Sequence, residues 1–124
     1  DIVALPNQAE WLPASLSGNV AQSRLSLLQA ESPVAAAKRI VDALISHDIS
    51  KAEEALYYYR SSFDDVCMRF ADCTATDFTE RTDSSYPGVW VYFKLTERDG
   101  KQKTSFVALR KDDRQRVWYV DGGL

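Results

Sequence analysis

The spacing of apolar residues changes along this chain from a helical period to a strand period. Between residues 33 and 71, apolar side chains recur every three or four positions, a spacing that places them on one face of an α-helix. From residue 74 to residue 121 they alternate with polar side chains, which places them on one face of a β-strand. This order predicts an α+β fold in which N-terminal helices pack on a curved antiparallel sheet.

The motif Ser32-Pro33 marks the start of the first well-defined helix. A serine side chain can accept a hydrogen bond from a free N–H group of the first turn, and proline suits the first helical position because its missing N–H would have no partner there. We expect this helix to cover residues 33–46. Its apolar stripe consists of Ala37, Ile40, Val41, Leu44 and Ile45. A second, shorter helix is predicted over residues 51–58, and a third is predicted to be capped by Ser61 or Ser62.

The strand half contains one polar strand followed by a more apolar meander. Thr74 to Arg81 is mostly polar, which predicts an edge strand. The segments 89–95, 104–110 and 117–121 form the meander, and Asp99-Gly100 is the tight turn of its first hairpin. Apolar residues occur on both faces of the meander, although a layer of helices needs only one such face. We therefore expect the sheet either to curl so that its second face lines a pocket, or to use that face as an interface.

Length and composition indicate one globular domain preceded by an arm. The chain has 124 residues, 45% of them hydrophobic, which is enough to bury a core of its own. We assign residues 32–124 to this domain and residues 1–31 to an N-terminal arm or tether, in which a short helix is predicted over residues 20–29. Trp11 is expected to pack on the domain. Because the chain begins with Asp1 and not with methionine, the pattern allows a signal peptide or a membrane anchor upstream of it.

The charge balance argues against one class of function. A net charge of −3 and a pI near 5.1 do not suit a dedicated nucleic-acid binder, which would carry a basic excess. From residue 87 onward eight lysines and arginines stand against five acidic residues, so the earlier part of the chain is the acidic one. No apolar stretch approaches the ~20 residues that a membrane-spanning helix needs.

The two cysteines of the chain, Cys67 and Cys73, are predicted to form a disulfide where the last helix meets the first strand. A loop this small would gain only ~2 kcal/mol from the bond. The bond would place the protein in an oxidising compartment such as a periplasm. The alternative is two free thiols, with Cys67 buried as a small apolar residue. No metal site and no cofactor are predicted, because His47 is the only histidine and two cysteines do not complete a tetrahedral shell.

Two groups of aromatic residues are candidates for a binding surface. The first consists of Tyr57, Tyr58, Tyr59 and Arg60. Three consecutive tyrosines cannot all face a core, so at least one ring should be exposed, and tyrosine with arginine is favoured at recognition hot spots. The second group consists of Trp90, Tyr92, Phe106 and Trp118. These rings either fill the core or offer a platform to a ligand.

Candidates for acid–base catalysis are few. His47 follows the first helix, where a histidine can simply complement the negative end of the helix dipole. Asp121 could form a proton-transfer pair with Tyr92 or Tyr119, but no spacing in the chain enforces such a pair. We therefore expect that this protein is not an enzyme.

Three segments carry a resemblance to a known superfamily. They are the helix capped by Ser32-Pro33, the short segment of residues 48–55, and the C-terminal run Arg116-Val117-Trp118-Tyr119-Val120-Asp121. Over residues 32–123 the chain resembles the NTF2-like, or cystatin-like, superfamily, and in particular its small extracytoplasmic bacterial members, often lipoproteins or secretion components. The resemblance implies a cone of helices against a strongly bent sheet. It implies no activity, since the superfamily contains both enzymes and binding domains.

The function predicted from the sequence is that of a non-enzymatic, periplasmic or otherwise extracytoplasmic domain that binds another protein. The partner would be an envelope or secretion component, or a toxin or effector that the domain inhibits, and a homo-oligomer is also compatible with the pattern. The alternative is a small-molecule-binding or isomerase-like enzyme that uses the interior of the cone. A pocket function needs an open cavity with convergent polar groups, whereas an interface function needs an exposed apolar patch.

Overall fold

Apart from the helix predicted over residues 51–58, the helices and strands follow one another in the predicted order. The computed structural model describes residues 18–124, with side chains from residue 22 onward. Within that range the helices are α1 (Gly18–Ala30), α2 (Pro33–Ile45) and α3 (Phe63–Phe70). The strands are β1 (Thr74–Arg81), β2 (Val89–Thr96), β3 (Gln102–Lys111) and β4 (Trp118–Gly122). They form one four-stranded antiparallel sheet in chain order, with β1 and β4 at its edges. The predicted α+β fold is confirmed.

Helix α2 packs against β1 and β2. Ser32 caps it as predicted, because its Oγ accepts a hydrogen bond from the N–H of Ala35 at 3.1 Å and Pro33 occupies the first turn. Its buried residues are Ala36, Ala37, Ile40, Val41, Ala43 and Leu44. The predicted apolar stripe is therefore the face that the helix turns towards the sheet, and Ile45 at its end is only half-buried.

The side of the sheet that faces the helices forms the core. On β2, Val91, Phe93 and Leu95 are buried, whereas the residues between them are partly exposed. This alternation is the one that a strand period of two predicts. Val107 and Leu109 of β3 continue the buried side. The interior between helices and sheet is thus filled by aliphatic and aromatic side chains.

A bulge in β1 brings Phe78 into contact with this core. The pairing between β1 and β2 shifts between Thr76 and Thr79, and Asp77 at this point has a φ of 59°. An extra residue in a strand re-aims the side chain that follows it. Phe78 accordingly stacks on Phe93, with 5.2 Å between the ring centres. The bulge explains how an edge strand that is otherwise polar contributes one ring to the core.

The helix predicted over residues 51–58 is not present as an α-helix. Two short 3₁₀ helices, Ile49–Lys51 and Tyr57–Tyr59, are joined there by turns. The carbonyl of Ala55 accepts a hydrogen bond from the N–H of Val120 in β4 at 2.9 Å. The N–H groups of Ala55 and Tyr59 bond to the carbonyls three residues earlier, which is the 3₁₀ pattern and not the α-helical one. The prediction of an α-helix was therefore wrong, and the Ala55 carbonyl joins this segment to the edge of the sheet.

The predicted Cys67–Cys73 disulfide is also absent, and both residues are buried free thiols. Cys67 lies on the buried face of α3 with Phe63, Val66 and Phe70. The Sγ of Cys73 instead lies 3.7 Å from the carbonyl oxygen of Arg69 and 3.6 Å from that of Ala71. Burial raises the pKa of both thiols above the ordinary value. The alternative interpretation of Cys67 as a small apolar residue therefore describes this structure.

Helix α1 contains the predicted helix of residues 20–29 and extends slightly beyond it. Leu25 and Leu28 are buried. The side-chain amide of Gln29 donates a hydrogen bond to the carbonyl of Gln115 at 2.7 Å, and Lys111 donates to the carbonyl of Gln29 at 3.0 Å. These contacts fasten α1 to the turn between β3 and β4. The prediction for Trp11 and the rest of residues 1–17 lies outside the described residues.

Candidate protein-binding surface

The side of the sheet that points away from the helices carries a row of aromatic residues. We call this side the outer face and define it by Arg81 of β1, Trp90, Tyr92 and Lys94 of β2, Phe106 and Arg110 of β3, and Tyr119 of β4. The register places Trp90 beside Arg81 and Tyr92 beside Phe106, and it pairs Arg110 with Tyr119. Residues that are directly paired lie on the same side of a sheet. The outer face is therefore continuous across all four strands.

Tyr92 and Phe106 form the centre of the outer face. Their ring centres are 5.5 Å apart, and the guanidinium of Arg81 lies 5.3 Å above the ring of Tyr92. Phe106 is 38% exposed, although a phenylalanine on a well-covered sheet would be buried. The three side chains combine a large apolar area with a cation held over a ring.

Tyr86, in the loop between β1 and β2, covers one end of the outer face. Its ring stacks on that of Trp90 at 5.0 Å with an angle of 9°, and its hydroxyl donates a hydrogen bond to Oδ2 of Asp121 at 2.8 Å. Burial and the neighbouring carboxylate raise the pKa of Tyr86 above its ordinary value, so the hydroxyl stays protonated and remains a donor. A Cβ at Gly88 would lie 2.2 Å from the carbonyl oxygen of Leu109. Only glycine thus lets this loop lie so close to β3.

The tyrosine run borders the outer face beside β4. Tyr58 is 66% exposed and packs edge to face against Tyr57 at 5.2 Å and against Tyr119 at 5.8 Å. Arg60 lies 4.9 Å above the ring of Tyr57. Tyr59 is partly buried against the core instead. Tyr58 therefore extends the aromatic surface beyond the sheet, through its contact with Tyr119.

Trp118 lies on the opposite side of the sheet from Trp90 and Tyr92. It is paired with Lys111, whose ammonium lies 5.3 Å above its ring, and it packs against the core. Its indole N–H donates a hydrogen bond to the carbonyl of Glu31 at 2.8 Å. Trp118 thus anchors the connection between α1 and α2. The structure separates it from the other aromatic residues with which the sequence grouped it.

The acid–base candidates have partners that the sequence did not indicate. Asp121 accepts its hydrogen bond from Tyr86, not from Tyr92 or Tyr119. His47 adopts a φ of 55° just after α2, and its Nε2 lies 2.7 Å from Oδ1 of Asp64 in α3. Both partners of that pair are exposed. His47 therefore links two helices at the surface.

Tyr86 was missed as a member of the surface. It lies in a loop, where no hydrophobic period identifies a face, and its stacking partner Trp90 is joined to it only by the fold. The one local sign is the sequence Tyr86-Pro87-Gly88, in which a glycine after a proline marks a tight turn. The sequence indicates Phe106 and Tyr119 as candidates, but it does not indicate which residues lie beside them in the fold.

Two grooves lie at the border between the helices and the sheet. One of about 560 Å³ runs between α2 and β1, beside Ile45 and Phe78. Another of about 510 Å³ lies beside Met68 and Cys73. The region between helices and sheet is occupied by side chains such as Phe93, which is 2% exposed. Among the described residues, the outer face and its border at Tyr58 bring exposed aromatic rings together.

Comparisons with known proteins assign neither a family nor a function to this chain. Neither a protein-family model, nor a curated protein, nor a solved structure matches this chain. Over residues 18–124, no helix is long and apolar enough to cross a membrane. In the same part of the chain no three His, Cys, Asp or Glu side chains come together as ligands for a metal ion. The arrangement of the outer face is the remaining basis for an inference about function.

Proposed function

We propose that this protein is a non-enzymatic domain that binds another protein through the outer face of its sheet. Aromatic rings at the centre of the face would supply the apolar contact, and Arg81 and Arg110 would supply polar contacts around it. The exposed Tyr58 would extend the contact beyond β4. Aromatic and arginine side chains of this kind dominate the energetics of protein interfaces.

The observation that carries this proposal is the pairing of Tyr92 with a half-exposed Phe106 on the side of the sheet away from the helices. A two-layer fold buries one face of its sheet and normally keeps the other polar. Apolar rings on the second face expose surface to water at a cost, unless another molecule covers them. A protein partner would remove that cost.

The pocket alternative receives less support. It requires an open interior between helices and sheet with polar groups that converge on a ligand. The residues at that position are apolar and buried, as Val91, Leu95 and Leu109 illustrate. Asp121 and Tyr86 form a carboxylate–tyrosine hydrogen bond, but they lie at one end of the outer face and not in that interior.

The biological setting is part of the proposal. An NTF2-like, extracytoplasmic protein of the bacterial envelope, acting in an assembly or as an inhibitor, is the setting that the sequence resemblance favours. That resemblance now supports it alone, because the Cys67–Cys73 bond that also favoured an oxidising compartment is not formed.

A capture experiment with matched variants tests the proposed function. The tagged protein, Phe106→Ala, Tyr92→Ala and the control Met68→Ala are used to capture proteins from an extract of the native source, followed by quantitative mass spectrometry. Met68 is 75% exposed on α3, so the control removes an exposed apolar side chain at a different surface. We expect one stoichiometric protein that the wild type and Met68→Ala retain and that both outer-face variants lose.

Two results would contradict the proposal. A captured protein that all four forms retain equally would place the interface elsewhere. A co-purifying small molecule without any protein would favour the pocket alternative. Sedimentation of the purified protein gives its oligomeric state. A dimer that Phe106→Ala dissociates would mean that a second copy of this chain covers the outer face.

A further inference from the structure

A cleft at the border of the outer face has the charge and size to receive an acidic side chain. It has a volume of about 270 Å³ and lies between the exposed ring of Tyr58, the ring of Tyr119 and the turn that joins β3 to β4. Arg110 and Arg114 belong to its lining. The cleft therefore combines two phenol rings with two guanidinium groups.

Two further charged residues of the lining are already engaged in the fold. Asp112 accepts hydrogen bonds from the backbone N–H groups of Arg114, Gln115 and Val117, at 3.0, 2.6 and 2.9 Å. Its carboxylate thus closes the turn. The ammonium of Lys111 donates to the carbonyl of Gln29 and lies above Trp118, on the other side of the sheet.

The remaining charges of the cleft favour an anion. Arg110 and Arg114 form no ion pair with any residue in the part of the chain that the structure describes, and Asp113 is the acidic residue left beside them. Guanidinium groups bind carboxylates through two parallel N–H···O hydrogen bonds. Neighbouring tyrosine hydroxyls can donate to the same anion.

We propose that the partner presents an acidic segment to this surface, with a carboxylate side chain in the cleft between Tyr58, Tyr119 and Arg110. This inference rests on the proposed function and specifies the chemistry of the partner. Arg110 and Phe106 lie on the same face of β3, four residues apart, a separation of roughly 13 Å along a strand. An extended partner would therefore carry an aromatic or aliphatic residue about four positions from the acidic one.

Selection from a library tests this proposal without knowledge of the natural partner. The probe is a phage-displayed library of random dodecapeptides, selected on the wild-type protein at low salt. We expect the enriched peptides to contain Asp or Glu at the proposed spacing from an apolar residue. A synthetic peptide with the enriched sequence should bind the wild type and lose at least about tenfold in affinity on Arg110→Glu or Arg114→Glu.

Matched variants separate the possible outcomes. Arg69→Glu makes the same charge change on α3 and should leave the affinity unchanged, and thermal unfolding verifies that Arg110→Glu is folded. Peptides that lose binding on Phe106→Ala but lack acidic residues and tolerate both arginine reversals would overturn the inference and leave the proposed function in place. If no enriched peptide depends on Phe106 at all, both the inference and the proposed function fail.

Discussion

The two sides of the sheet present phenylalanine in two different environments. Phe93, on the helix-facing side, is 2% exposed and lies near the rings of Phe70 and Phe78. Phe106, on the outer face, is 38% exposed and contacts the ring of Tyr92. The same residue type therefore stabilises the fold on one side and remains available for contact on the other. Burial, more than residue type, distinguishes a core residue from a candidate binding residue.

Alanine substitutions at these two positions give the largest difference between the two sides. Phe93→Ala should lower the free energy of unfolding by about 3–5 kcal/mol, because it leaves a cavity among packed rings. Phe106→Ala should lower it by less than about 1 kcal/mol, because the ring is already partly hydrated. Urea unfolding of both variants measures the difference. Equal losses would mean that the outer face is as much a core as the helix-facing side.

Substitution of one carboxylate near the helices and one beside the outer face should give the next largest difference in stability. Glu54, near the helices, is 1% exposed and binds both Arg24 and Arg39. Glu54→Gln should cost about 2–3 kcal/mol of stability, because it leaves Arg24 without its buried counter-charge, whereas Arg39 keeps its ion pair with Glu31. Asp121, at one end of the outer face, is exposed and accepts a hydrogen bond from Tyr86. Asp121→Asn should therefore cost no more than about 1 kcal/mol.

Urea unfolding at neutral pH tests this pair. Both substitutions remove one negative charge and keep the shape of the side chain, so each serves as the control for the other. A loss for Asp121→Asn as large as that for Glu54→Gln would show that the loop around Tyr86 is a central part of the fold and not a cover over one end of the outer face.

The Tyr86 hydroxyl predicts a smaller, pH-dependent effect. Its pKa in the folded protein is raised above the ordinary value of 10.0 by burial and by Asp121. Above pH 10 the unfolded chain loses this proton while the folded chain keeps it, so stability is complete below that pH and falls as the pH rises further. Tyr86→Phe should reduce this alkaline loss and cost no more than about 1 kcal/mol at neutral pH.

Denaturant titrations at neutral and alkaline pH measure this effect. Tyr58→Phe removes a hydroxyl from an exposed ring of the tyrosine run and is the control. An alkaline loss of stability that is identical in the wild type and in Tyr86→Phe would show that neither the burial of the Tyr86 hydroxyl nor its hydrogen bond to Asp121 persists in solution.

The sequence predicted those features of the two sides that depend on local spacing. The buried stripe of α2 and the alternation of Val91, Tyr92 and Phe93 follow from helical and strand periods, because each period fixes which side chains share a face. The sequence also showed that both sides of the sheet carry apolar residues. Whether the second side would line a pocket or remain a surface was left open, since curvature and cover are tertiary properties.

The features that the sequence did not predict depend on contacts between distant segments. Tyr86 and Asp121 are 35 positions apart, and only the fold brings them together. The 51–58 segment had helical spacing, but its Ala55 carbonyl binds Val120 of β4. The sequence indicated Trp118 as part of an aromatic platform, but its pairing with Lys111 places it on the side of the sheet that faces the connection between α1 and α2. A hydrogen bond or a register pair can override local propensity in each case.

The two thiols give the smallest expected effect, which is no change in stability on reduction. Cys67 and Cys73 are buried and form no disulfide, and the pKa of each thiol is raised. A reducing agent therefore has no bond to break. The urea midpoint should be the same with and without reductant. Because the thiolate is the reactive form, both thiols should also react with a thiol reagent far more slowly in the native protein than in urea. A urea midpoint that falls on reduction would instead show that a disulfide links Cys67 and Cys73 on the helix-facing side. The stability effects of substitutions on the two sides of the sheet could then no longer be compared by side-chain packing alone.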